Sequence, residues 1–222
     1  MTDHVPDEQS LFSLAADILT KVQTELWIVR HGAVDRDHQG ADPPLSPRGH
    51  EQAKAMAAAL AGARELAHIT AVHCSPMLRT TQTAEPLAAA LGVPLVFHDG
   101  LAEYDRNAPE YLLLSDLRAR GDVRFDQVLA GDLSAYGTDW VSFRNRVLAA
   151  LRDVAAEVDG TGVVVSHGGP LNALLGVALG HDQRRWLSIP EHASLSRFGV
   201  AADGRLKMLS VNETWYLRGL AD

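Results

Sequence analysis

Leu26-Trp27-Ile28-Val29-Arg30-His31-Gly32 and, far downstream, Val163-Val164-Val165-Ser166-His167-Gly168-Gly169 share one pattern, a continuous apolar run that ends in histidine followed by glycine. Short unbroken apolar runs mark strands buried on both faces, as in a parallel sheet covered by helices. The segments between them fit that reading. Ser46-Pro47 opens a helix that runs to Leu60, with proline in its first turn. A strand at Ile69 to Cys74, a helix from about Met77 to Leu91 and a short strand at Leu95 to Phe97 follow. A long helix from Asp139 to Val158 precedes the second histidine strand, and another helix from Gly169 to Leu179 succeeds it. Leu195 to Ala201 and Leu206 to Val211 flank the Ala202-Asp203-Gly204 turn as a hairpin. The alternation predicts an α/β three-layer sandwich, a mainly parallel twisted sheet with helices on both faces. Glu103 to Thr138 breaks the alternation, and residues 104–138 read as a lid inserted over the sheet.

Composition bounds the rest. The chain has 222 residues, 46% hydrophobic and 22% charged, enough for one large domain with a core and too ordered in pattern for a disordered chain. Residues 1–24 read as an N-terminal extension in which Leu11, Leu14, Ile18 and Val22 recur at helical spacing, and residues 25–222 as the domain. That short amphipathic helix permits a homodimer without demanding one. No apolar run approaches the roughly 18 residues of a spanning helix, and the N-terminus lacks a signal-peptide pattern, so a soluble cytoplasmic protein is expected. A net charge of −8 argues against nucleic acid or an anionic membrane as partner. The single cysteine, Cys74, sits in an apolar run and reads as a buried reduced thiol. Of the 20 basic residues only Lys21, Lys54 and Lys207 are lysines, so an anion site here is built from guanidinium forks.

In an open α/β sheet, residues just past the carboxyl ends of the strands converge on the ligand crevice. His31 and His167 therefore meet, and Arg79, in the first turn of the helix after the third strand signal, adds a guanidinium beside Arg30. Two arginines and two histidines around one hollow suit a phosphate, whose oxygens accept paired N–H groups from guanidinium and from glycine-flanked amides such as Gly168. Cationic neighbours disfavour protonation of an imidazole and leave a lone pair free to attack phosphorus. Glu103, at the root of the lid, is the candidate proton donor to the departing alcohol.

Taken in order, Arg30-His31-Gly32, Leu45-Ser46-Pro47-Arg48-Gly49, Cys74-Ser75-Pro76 through Arg79-Thr80, Leu101-Ala102-Glu103 and Val165-Ser166-His167-Gly168-Gly169 resemble the histidine phosphatase superfamily, also called the phosphoglycerate mutase-like family. The resemblance implies that His31 becomes phosphorylated, that Arg30, Arg79 and His167 hold the phosphoryl oxygens, that Glu103 donates the proton, and that no metal or other cofactor takes part. It implies a small phosphorylated metabolite as substrate, with Arg106 a further candidate contact. The chain departs from many members at Ala33, Val34 and Asp37. It also reads Tyr104-Asp105-Arg106-Asn107 where the mutases carry an arginine and a Tyr-Gly pair. Hydrolysis of a phosphomonoester is thus the expected reaction. A phosphoglycerate-type mutase and a non-catalytic phospholigand-binding protein remain alternatives.

Other readings fit less well. A serine nucleophile at Ser166 lacks the glycine two residues earlier, where Val164 stands, and no Gly-x-x-x-x-Gly-Lys loop is present. His38, His50, His68, His73, His98, His181 and His192 read as surface or packing residues, none in a zinc-type spacing.

Overall fold

The computed structural model describes residues 21–38, 40–180 and 186–220. Six strands form one mixed sheet: β1 (Val22–Arg30), β2 (Val72–Cys74), β3 (Leu95–Phe97), β4 (Thr161–Ser166), β5 (Leu195–Ala201) and β6 (Leu206–Glu213). Their spatial order is β3-β2-β4-β1-β5-β6. The first four in that order run parallel, while β5 pairs antiparallel with both β1 and β6, so the expected hairpin closes one edge. The helices are α1 (Pro47–Leu60), α2 (Leu78–Leu91), α3 (Leu114–Ala119), α4 (Arg124–Ala130), α5 (Trp140–Glu157) and α6 (Gly168–Ala178). Among the described residues no helix is long and apolar enough to cross a membrane.

The period-2 geometry of a strand explains the two cores. Leu26 and Ile28 of β1 point to one face and Trp27 and Val29 to the other. On the first face they meet Val164, Phe198, the α5 row Phe143, Val147, Leu151 and Val154, and Leu171 and Leu174 of α6. On the second they meet Val163, Val165, Met56 and Leu60 of α1 and Leu87 of α2. Each large side chain so buried contributes roughly 1.5–3 kcal/mol. Tyr104, Val128 and Leu133 tie the helical segment 104–138 to the first core.

One expectation changes. β1 begins at Val22, so the last residue of the anticipated N-terminal helix lies in the sheet, and the boundary drawn after residue 24 falls inside a strand. The rest of that helix lies outside the described residues.

Local signals at the helix starts hold. The Ser46 side chain accepts from the Gly49 amide and Asp139 accepts from that of Ser142. Gly49 has a second duty, because a Cβ there would lie 1.9 Å from the Ala33 carbonyl oxygen. The loop after β1 thus presses backbone to backbone on the start of α1. Substituting Gly49→Ala should lower unfolding stability by about 3 kcal/mol, since backbone must shift to admit the methyl. Urea titration followed by circular dichroism measures it.

Candidate active site

After β1 the chain passes to α1 on one face of the sheet, and after β4 it passes to α6 on the other. Divergence of this kind opens a crevice at the strand ends. Arg30 lies opposite Ser166 in the β1–β4 register, and the His31 amide donates to the Ser166 carbonyl at 2.9 Å. The next residue in each strand is a histidine, and the rings of His31 and His167 lie 5.2 Å apart, centroid to centroid. The two histidines therefore meet as expected.

Both rings are buried. The His31 Nδ1 lies 2.8 Å from the Gly32 carbonyl oxygen. A carbonyl only accepts, so Nδ1 carries the proton and Nε2 of the neutral ring keeps its lone pair. Burial, then Arg79, His167, Arg30 and His192, hold the His31 pKa well below its ordinary value. His167 is held well below its ordinary value as well, by burial and then by Arg79 and Arg30. Its Nε2 lies 2.9 Å from the Ser75 hydroxyl oxygen.

Arg30 donates through one terminal nitrogen to the Pro190 carbonyl and through the other, at 3.1 Å, to His192 Nε2. Arg79 is fully buried and donates to Asp42 at 3.1 Å and Asp105 at 3.2 Å, with its guanidinium 4.8 Å from the Tyr111 ring centroid. Burial opposes the Arg79 charge, but Asp105, Tyr111 and Asp42 outweigh it and raise its pKa. Three buried nitrogens of this group have no hydrogen-bond partner, namely Arg30 Nε, Arg79 Nε and His167 Nδ1. Buried donors without partners are rare, and a many-oxygened anion would satisfy them together.

Glu103 completes the set. Its carboxylate accepts from the Gly169 amide at 2.8 Å and the Tyr104 amide at 3.0 Å. A Cβ on residue 169 would lie 2.1 Å from Glu103 Oε1, so glycine is what admits the carboxyl group. Burial and then Asp105 push the Glu103 pKa up to about 7, against the pull of the two amides and Arg79. Arg146 donates to the carbonyls of Asp99, Gly100 and Ala102 at 2.9 Å each and so fixes the turn that delivers Glu103.

A cavity of about 780 Å³ opens over these groups, lined by Arg30, His31, Arg79, Glu103 and Gly168 at its base and by residues of the 104–138 segment above. Arg106, expected as a contact, does not line it. Its guanidinium turns to Asp99, 3.6 Å away. Asp37 is exposed and also lies off the cavity wall.

Sequence reasoning missed His192, which lines the cavity with its ring 5.5 Å from that of His31. Its pKa is pushed down to about 3, chiefly by burial and then by Arg30. The signal was its place before β5, because the start of a strand antiparallel to β1 lies at the carboxyl end of β1. Asp42 and Asp105, the partners of Arg79, were also missed as such. His73 and His98, remote in sequence, meet at 2.9 Å near Glu157 and share no residue with this site. Cys74 is buried as expected, and burial raises its thiol pKa to about 12.

At pH 6, nitrogen-15 NMR should report His31 as a neutral ring protonated on Nδ1. Arg79→Met should move its titration upward, because the largest charge opposing protonation is then removed.

Residues 26–214 match the family described as the histidine phosphatase superfamily, branch 1. The chain is 30% identical over 203 residues to phosphoserine phosphatase 1 of Hydrogenobacter thermophilus, covering 87% of this chain and 94% of that protein. It is 30% identical over 165 residues to the probable phosphoglycerate mutase GpmB of Escherichia coli, covering 70% and 75%. Among solved structures, Bacillus stearothermophilus YhfR superposes with a TM-score of 0.72 at 22% identity, over 87% of this chain and 99% of that one. With the ordered motifs gathered around one crevice and the match spanning nearly the whole sheet, the chain belongs to the histidine phosphatase superfamily, branch 1.

Proposed function

We propose that this protein is a metal-independent phosphomonoesterase that works through a phosphohistidine on His31. The observation that carries the reading is the Nδ1–H bond of His31 to the Gly32 carbonyl, which leaves Nε2 unprotonated among the unpartnered nitrogens of Arg30, Arg79 and His167. In the proposed first step the Nε2 lone pair attacks phosphorus in line, the bond from phosphorus to the ester oxygen breaks, and the Glu103 carboxyl gives its proton to the departing oxygen. In the second, water attacks phosphorus, its proton passes to the Glu103 carboxylate, and the P–N bond breaks to release inorganic phosphate. Arg30, Arg79 and His167 stabilise the equatorial oxygens in both steps. Donation from Ser75 to His167 Nε2 would place the ring proton on Nδ1, where it serves an oxygen of the substrate.

Similarity to GpmB supports a second reading, isomerisation of a phosphoglycerate. With 3-phosphoglycerate as substrate, release of inorganic phosphate marks the hydrolase and appearance of the 2-isomer marks the mutase.

The nucleophile assignment predicts that His31→Ala loses hydrolysis of 4-nitrophenyl phosphate by about 10⁴-fold or more, since the covalent route is then closed. Retained activity overturns the assignment. Wild type denatured in alkaline detergent during turnover should carry phosphate on a histidine, stable in alkali and labile in acid.

The acid assignment predicts a pH dependence with a definite sign. Because Glu103 must be protonated for the first step and its pKa is about 7, kcat/KM for an alkyl phosphate should fall about tenfold per pH unit well above that value. Glu103→Gln should remove that descending limb.

A further inference from the structure

We infer that the leaving group of the natural substrate is a bulky, uncharged, apolar alcohol or phenol, and not the small carboxylate-bearing alcohol of phosphoserine or phosphoglycerate. This rests on the phosphatase reading and deepens it. The cavity volume of about 780 Å³ lies in the range of roughly 300–1,000 Å³ that accommodates ligands far larger than a phosphate. Above the phosphate-binding base its walls include Leu112, Leu113, Phe125, Leu129, Trp186 and Ile189. Leu129 on α4 and Ile189 before β5 are 41% and 74% exposed, so large apolar side chains stand in water on the helical segment and on the loop that line the cavity. Exposed apolar surface gathered around a concave site marks a place where an apolar ligand is bound.

Charge points the same way. A carboxylate a few ångströms from the phosphorus needs a cation of its own beside the pair that holds the phosphate. Among the described residues the cavity offers one further arginine, Arg118, which is exposed and lies 6.0 Å from the Phe125 ring centroid. The acidic groups lining the cavity are Glu103, Asp105 and Glu191. Glu103 is neutral as the proton donor and Asp105 is paired with Arg79, so Glu191 is the carboxylate that repels an acidic leaving group, while an uncharged one packs against the apolar side chains of the wall.

The test compares primary alkyl phosphates, so that departure of the alcohol is of similar difficulty throughout. kcat/KM for 3-phenylpropyl phosphate should exceed that for phosphoserine and for 3-phosphoglycerate by about 100-fold. Leu129→Gln, at an exposed position where folding is not at stake, should raise KM for the phenylpropyl ester about tenfold. Equal or faster turnover of phosphoserine or 3-phosphoglycerate overturns the inference and leaves the phosphatase reading intact. If no ester is turned over, 4-nitrophenyl phosphate included, the phosphatase reading fails. Calorimetry with 3-phenylpropylphosphonate against inorganic phosphate then reads the cavity alone. Tighter binding of the phosphonate by about tenfold or more supports the inference, and equal binding overturns it.

Discussion

Parallel pairing of β1 with β4, in the register that sets Arg30 against Ser166, is the constraint on which the site depends. Strand length and pairing end together, so the next residue of each strand leaves the sheet at the same level and both are histidines. A slip of one residue would send the apolar side chains of β1 to the wrong faces and separate the two rings. The two apolar cores therefore hold the geometry of the candidate site in place: Leu26 and Ile28 against α5 and α6, and Trp27 and Val29 against α1 and α2, lock the register that aligns His31 with His167.

Around that pair the protein concentrates positive charge out of water, which is costly unless each ion is paired or hydrogen-bonded. Arg79 meets Asp42 and Asp105, and Arg30 meets the Pro190 carbonyl and His192. The pairing is incomplete at one nitrogen of each guanidinium, and the incompleteness is what an anion would use. The same cations depress both imidazoles, keeping lone pairs available, while Asp105 and burial raise Glu103 toward neutrality. Opposite shifts in neighbouring groups are the pattern that, in the proposed mechanism, separates a nucleophile from an acid within one small volume. Asp105 serves twice, as partner to Arg79 and as the like charge beside Glu103.

The 104–138 segment has another physics. It interrupts the sheet alternation, carries the short helices α3 and α4, and is anchored by Tyr104, Val128 and Leu133 in the first core. Tyr104 packs edge-on against Tyr136, Phe143 and Trp186, joining the segment to α5 and to the loop before β5. Those contacts fix a wall rich in leucine, with Tyr111, Arg118 and Phe125 beside it, in contrast to the densely charged base below.

Much of this was legible in the chain itself. Apolar runs ending in His-Gly gave the strands, cap residues such as Ser46 and Asp139 gave the helix starts, and the positions of Arg30, His31, Arg79, Glu103 and His167 past strand ends pointed to one crevice, where they meet. These are local signals, because backbone propensity and side-chain periodicity are written in neighbouring residues. Folding alone decided the rest. His192 joined the site because β5 runs antiparallel beside β1, Asp42 and Asp105 became the partners of Arg79 across long sequence separations, and Arg106 turned away to Asp99. Side-chain partnership is a three-dimensional distance, and the size and apolar lining of the cavity are sums over segments that share no local pattern.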